Sequence, residues 1–185
     1  HLTSDVRIHG IIAEGGAAPN IVPERAVARF YFRAAERCYL NQVVEKAKKV
    51  AHGAALATGC RLEMRNFELS FDNLRSNRLL AATFKNHLEA LGVTDIEPPS
   101  KNMGSTDMGN VSHVAPAIQP SMQIGPKTLV SHTHEFCQAA ASSDALEAML
   151  VAAKAMALTG LDVLTDEELR RQIRAEFLAG RSNEC

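Results

Sequence analysis

Two alternating runs, a turn and one amphipathic helix open this chain in an order that cannot bury its own apolar surface. Residues 6–12 alternate and are rich in branched side chains, the pattern of a strand. Gly15-Gly16-Ala17-Ala18-Pro19-Asn20 then supplies turn chemistry. A second strand is predicted over 26–33, with Ala28, Phe30 and Phe32 on its apolar face and Val27, Arg29, Tyr31 and Arg33 on the other. Arg33 therefore projects away from the expected core, toward solvent or a cleft. Residues 41–58 place Val43, Val44, Ala47, Val50, Ala51 and Ala54 at helical spacing, with Asn41 as N-cap and Gly59 as the stop. Alternation returns over 61–71 through Leu62, Met64, Phe67, Leu69 and Phe71, predicting a third strand with one phase change, a bulge. A β-β-α-β unit with a single covering helix has too few strands to stand alone, so it calls for more chain or a partner.

A different unit begins at Asp72-Asn73. The spacing predicts a helix over 76–91 closed by Gly92, then a short extended piece over 96–99. Residues 100–135 are rich in Gly, Ser, Asn and Pro, with short apolar pieces at 111–118 and 122–124 that read as buried strands. Loops of this length inside a domain are usually functional. The tail returns to helix over 144–161, rich in Ala, Met and Leu. A more charged helix comes next over 166–178, with Thr165 and Glu168 spaced as a capping box.

Bulk properties narrow the function classes. The chain has 185 residues, 46% hydrophobic and 22% charged, which suits a folded core rather than disorder. A formal charge of −1, two Tyr and no Trp give no basis for nucleic acid or an anionic membrane as partner. Cys38, Cys60, Cys137 and Cys185 lie far apart, so reduced, mostly buried thiols of a cytoplasmic protein are expected. No signal-peptide pattern or apolar run of about 18 residues is read. The chain opens on His1 rather than Met, so sequence is expected to precede it.

Three segments carry chemistry. Asn20 is a good turn former whose amide is equally able to donate to a substrate oxygen. Arg33, at a strand end, offers a planar fork suited to a carboxylate, or is a solvated strand arginine. The segment Asn102-Met103-Gly104-Ser105-Thr106-Asp107-Met108-Gly109-Asn110 can aim backbone N–H groups and hydroxyls at an anion, or Asp107 can cap the next segment. No G-x-S-x-G elbow supports a serine nucleophile. The run Ser131-His132-Thr133-His134-Glu135-Phe136 looks like one edge of a metal site, since neutral imidazole is the commonest ligand for zinc-like ions. A catalytic zinc needs about three protein ligands, and no H-E-x-x-H or C-x-x-C completes the set here.

Taken in order, Asn20-Ile21-Val22-Pro23 leading to Arg33, then Gly104-Ser105-Thr106-Asp107, then His132 before a paired-helix tail resemble the dinuclear zinc aminoacylase, carboxypeptidase and desuccinylase superfamily. The nearest likeness is to amidohydrolases of the aminobenzoyl-glutamate hydrolase type, and it runs over essentially the whole chain. The resemblance implies an α/β protein: a partial α+β lid domain over 1–72 that pairs as a homodimer, then the C-terminal segment of an α/β catalytic domain over 73–185. It implies His132 as the last metal ligand, with His134 as rival within the run. Arg33 would grip the substrate's carboxylate, and Asn20 would lie near the oxygen of the scissile amide. Gly104, Ser105 and Thr106 would border the substrate pocket. Two divalent ions, Zn or Mn, belong to each complete site. The bridging Asp, the Glu-Glu pair, the earlier His ligand and the lid histidine of the pattern have no counterpart here, so no catalytic residue is expected in this chain. His9 reads as structural, and His52, His87 and His113 as surface or packing residues.

The function so implied is metal-dependent hydrolysis of an amide in a small acyl-amino acid or dipeptide-like substrate bearing a carboxylate. It belongs to the parent protein, the 185-residue chain alone being inactive. The alternative is a non-enzymatic dimerisation or binding module derived from the lid.

Overall fold

The N-terminal alternation does form a hairpin. A computed structural model describes residues 1–98 and 104–181; in it β1 (Arg7–Glu14) and β2 (Val27–Arg33) pair antiparallel, from Arg7 opposite Arg33 to Glu14 opposite Val27. The register slips between Ile12 and Glu14, which bends the strand at its turn end. Gly10 faces Phe30 so closely that a Cβ would collide with the aromatic ring, which lies over the bare glycine backbone.

α1 (Arg37–Thr58) starts earlier than its apolar spacing suggested, so Asn41 lies inside the helix and is not its cap. The N-cap is Glu36, whose side chain makes no capping bond. Gly59 closes the helix at φ 69, with Gly59 N donating to Leu56 O and Cys60 N to Ala55 O. Within the expected stripe Val43 is 2% exposed, yet Val50 is 73% exposed, because the unit lacks a layer to cover the helix fully.

The predicted third strand is corrected. Residues 61–71 join no ladder; among the described residues the sheet has two strands. The segment touches β2 through side chains instead: the Phe67 ring meets Tyr31 edge-on at 5.2 Å. A hydrogen bond to Glu68 pushes the Tyr31 phenol above its ordinary value. Alternation marks a half-buried face, but a strand also needs a neighbour for its N–H and C=O groups. The turn after this segment is tied back to the start of α1. Arg37 pairs with Asp72 at 3.4 Å, and Asn73 Nδ2 donates to Glu36 Oε2 at 3.1 Å.

Asp5 provides a pH-dependent latch in this first unit. Its Oδ2 accepts from Ala35 N at 2.9 Å. That backbone bond, and then the Thr3 side chain, hold the carboxyl below its ordinary 3.8. A depressed folded value contributes stability that is whole above the ordinary value and is lost as pH falls through the lowered one. Asp5→Asn is therefore expected to lower the unfolding midpoint at neutral pH. The difference from wild type should close in acid, below about pH 4, in denaturation curves taken across pH.

The chain divides after Asn73 into two compact units. The second is helical: α2 (Arg78–Ala90), α3 (Met108–Val114), α4 (His134–Ala140), α5 (Ser143–Thr165) and α6 (Glu167–Arg181). Its core is Phe84, Leu88 and Ala155, flanked by Leu91, Val93, Ile96, Ile118, Met122 and Val151. α5 packs on α2, α4 and α6. Asn77 ties three segments. Its Oδ1 caps α2 by accepting from Leu80 N at 2.9 Å, its Nδ2 donates to Ile173 O at 3.0 Å, and its backbone N donates to Ala117 O at 2.9 Å. From α6, the Glu176 carboxylate accepts from Arg78 N at 2.6 Å and Leu79 N at 3.0 Å.

Several local expectations change here. Residues 111–118 are not a strand: α3 takes the first part, and Ala117 makes only an isolated parallel bridge to Ser76. Ser112, fully buried, explains the helix, since its hydroxyl donates to Gly109 O at 2.6 Å while accepting from Arg75 N at 2.9 Å. Residues 122–124 are irregular. The cap of α6 is Asp166, which accepts from Leu169 N at 3.0 Å. Thr165 cannot cap because α5 runs through it, its hydroxyl returning to Leu161 O at 2.8 Å. Asn102, Met103 and the end of the 96–99 piece lie outside the described residues.

α5 is long and apolar enough to cross a membrane by length and composition, with 11% of the relevant window buried. Leucines, valines, methionines and alanines between its few charges account for this, although the sequence alone predicts no such run. Cys38 is disulfide-bonded and Cys60 and Cys137 are exposed free thiols, which departs from the reduced, mostly buried thiols expected.

Candidate functional site

Each unit holds part of the expected constellation. In the first, Asn20 is exposed in the loop between β1 and β2, where Ile21 N closes a turn onto Ala18 O at 3.2 Å. It lines an open concavity of about 410 Å³ with Gly15, Pro19 and Pro23. Gly16, at φ 105, supplies the left-handed residue that starts this loop. The Asn20 amide is thus both a turn residue and free to donate.

Arg33 ends β2, exposed, its guanidinium making no hydrogen bond or ion pair among the described residues. Arg7 stands directly opposite, on the same face of the sheet. Like charges placed so are unfavourable unless an anion lies between or near them. Arg7 is partly engaged, donating to Ser4 O at 2.6 Å and Val6 O at 2.9 Å, whereas Arg33 is fully available to a carboxylate.

In the second unit, Gly104 and Ser105 are exposed and Thr106 is half-buried. Thr106, not Asp107, organises the start of α3: its Oγ1 accepts from Met108 N at 3.2 Å and its carbonyl from Gly109 N at 3.2 Å. Asp107 makes no capping bond. Thr106 is thereby a local cap, while Gly104 and Ser105 remain open.

The histidine run folds around a helix start. Thr133 is the N-cap of α4, accepting from Phe136 N at 3.2 Å, and its hydroxyl donates to Val130 O at 2.8 Å. His132, just before it, has φ 66, and is the one non-glycine residue with positive φ among the described residues. Such a conformation costs an L residue about 1–2 kcal/mol. His134 is the first residue of α4 and has ordinary backbone. Upstream, Lys127 is clamped by Glu97 at 2.7 Å and Asp95 at 2.9 Å; these carboxylates hold it charged, well above its usual range, and pin the segment that leads into the turn.

The run does not close a metal site by itself. His132 precedes the cap while His134 and Glu135 lie inside the helix at adjacent positions, which face different ways. Among the described residues no group of three or more His, Cys, Asp or Glu is placed to hold a metal ion. The donors among the described residues therefore do not by themselves complete a site for a resident metal.

The remaining histidines follow the packing reading in part. His52 is exposed on α1, whereas His87 of α2 meets Asp162 of α5 at 2.6 Å. That pair, and the Asn77 and Glu176 links, escaped sequence reasoning because 75 to 98 positions separate the partners. Only the helical spacing of their elements hinted that they would meet.

No family model matches the chain. Curated relatives do. An Xaa-Arg dipeptidase of Homo sapiens is 38% identical over 177 residues, covering 92% of this chain and 40% of the relative. The Xaa-Arg dipeptidase of Mus musculus is 37% identical over 174 residues, with the same coverage. A p-aminobenzoyl-glutamate hydrolase subunit of Escherichia coli (strain K12) is 26% identical, over 95% of this chain and 48% of the relative. The chain thus spans about 40% of the length of the first relatives it matches. Its units are a small antiparallel sheet with one helix and a wholly helical part, an α/β or α+β architecture. Over nearly all its length the chain is thus similar to both kinds of hydrolase, and through them it resembles the aminoacylase, carboxypeptidase and desuccinylase superfamily of amidohydrolases.

Proposed function

We propose that the protein carrying this chain hydrolyses the amide bond of a small dipeptide-like substrate that ends in a carboxylate. Relatives named for Xaa-Arg dipeptides and for an aminobenzoyl-glutamate support the substrate class. They also favour an enzyme over a non-catalytic lid module. The observation in the structure that carries the reading is the backbone of His132. A strained residue in an exposed His-rich turn is retained against a stability cost, which is where functional groups are found.

In this reading His132 contributes one imidazole to a divalent metal site, two Zn or Mn per complete site, whose other donors lie outside this chain. His134 is secondary. Arg33 holds the substrate's carboxylate by its planar fork, Asn20 offers its amide to the scissile carbonyl's oxygen, and Gly104, Ser105 and Thr106 border the pocket. The 1–72 part serves as lid and the remainder as catalytic segment. Exposed Ile11 and Ile12 on an open two-stranded sheet support pairing of two copies through the lid.

The test compares two samples. A protein of the relatives' full length should cleave a dipeptide ending in arginine, lose that activity on chelation and regain it with Zn or Mn. The isolated 185 residues should cleave nothing and retain no metal through dialysis. Chelator-resistant cleavage by the longer protein, or cleavage by the 185 residues alone, refutes the proposal.

A further inference from the structure

The hydroxyl of Thr133 reaches to both sides of His132. It donates to Val130 O at 2.8 Å and accepts from Phe136 N at 3.2 Å, so one oxygen ties the approach to the turn to the first turn of α4. His132 lies inside this bracket with φ 66. We propose that Thr133 is a positioning residue, holding His132 in its left-handed conformation and so fixing the direction in which the imidazole is presented.

A second bracket in the same unit shows that the conformation is not a by-product of capping. Ser142, the N-cap of α5, donates to Ala139 O at 2.7 Å and accepts from Ala145 N at 3.2 Å, the same pair of bonds at the same spacing. The residue before it, Ala141, has φ −100 and ψ 4. A hydroxyl bracket therefore closes perfectly well over a right-handed residue. At His132 the chain takes the costlier left-handed form, which puts the Cβ on the other side of the turn. A strained residue persists only where its surroundings over-determine it. Half-buried Thr133, with two hydrogen bonds and a stiff β-branched side chain, supplies that determination.

The functional weight of this inference rests on the reading of His132 given above, and the test separates the two. The intact protein is labelled selectively at histidine with 13C and 15N, and the His132 signals are assigned by their loss in His132→Ala. Thr133→Val keeps the shape and removes both hydrogen bonds. It should move the His132 Cα and Cβ shifts away from left-handed values and lower dipeptide hydrolysis on the order of 10–100-fold, as for other groups that orient a functional imidazole. Thr133→Ser keeps both hydrogen bonds but loses the β-branch, as at Ser142, and should likewise move the His132 signals from left-handed values. Ser142→Ala removes the twin bracket and should leave the His132 signals and hydrolysis as in wild type. Unmoved His132 signals in Thr133→Val overturn the proposal, as does an equal shift in Ser142→Ala. If the signals move in Thr133→Val while hydrolysis is untouched there and in His132→Ala, positioning stands and the functional reading of His132 falls.

Discussion

Asn77→Ala is expected to destabilise the second unit by about 2–3 kcal/mol, the sum of a lost N-cap and a lost buried hydrogen bond. Asn77 is 5% exposed, so water cannot replace either partner. Its Oδ1 satisfies Leu80 N at the start of α2, and its Nδ2 joins α2 to the Ile173 carbonyl of α6. Truncation strands the Leu80 N–H and removes a link between the two helices. Asn77→Ser separates the terms, since a hydroxyl can cap but cannot span to Ile173. It should recover about half of the loss. Urea unfolding of the three proteins checks this, read at constant slope. A loss below about 1 kcal/mol in Asn77→Ala would show that the helix contacts alone hold α2 to α6. Equal damage in both variants would assign the effect to the Ile173 bond rather than to the cap.

That network also shows where sequence reading stops. The helices α1, α2, α5 and α6 were legible because apolar residues at helical spacing, and stops such as Gly59 after α1 and Gly92 after α2, are local signals. The irregular backbone of 61–71 was not, because alternation reports a face and not a hydrogen-bonding neighbour. Residues 111–118 were misassigned for a related reason: an apolar run that short suits strand or helix. The buried Ser112 hydroxyl, bonded to Gly109 and Arg75, is what settles the helix. The cap of α6 moved by one residue because α5 extended into Thr165, a matter of where its neighbour ended. At the candidate site the residue types and order were readable, and with them the resemblance to the superfamily. The left-handed His132, the Thr133 bracket and the availability of Arg33 opposite Arg7 were not, since each depends on backbone geometry or pairing.

Geometry at His132 sets activity against stability, and a pair of substitutions reads both. His132→Ala and His132→Gly each remove the imidazole, so each should lower dipeptide hydrolysis by the intact protein by at least ~100-fold, beyond the loss for a group that only orients such a residue. Their stabilities should differ. At φ 66 alanine keeps the Cβ clash that glycine lacks, so His132→Gly should be more stable than His132→Ala by about 1 kcal/mol. In a chain of this size that is a rise of about 2–4 °C in Tm. His134→Ala is the internal comparison. His134 is exposed at the first position of α4 with ordinary backbone, so hydrolysis should stay within about threefold of wild type, as expected of a surface change without a partner. If His134→Ala loses as much activity as His132→Ala, the functional imidazole is His134 and the strain at His132 serves only the turn. If glycine gives no gain over alanine, the left-handed backbone carries no cost, and the argument from strain to function fails with it. A glycine variant both more stable than the alanine variant and inactive would mean that this turn keeps histidine for its imidazole, against its conformational preference.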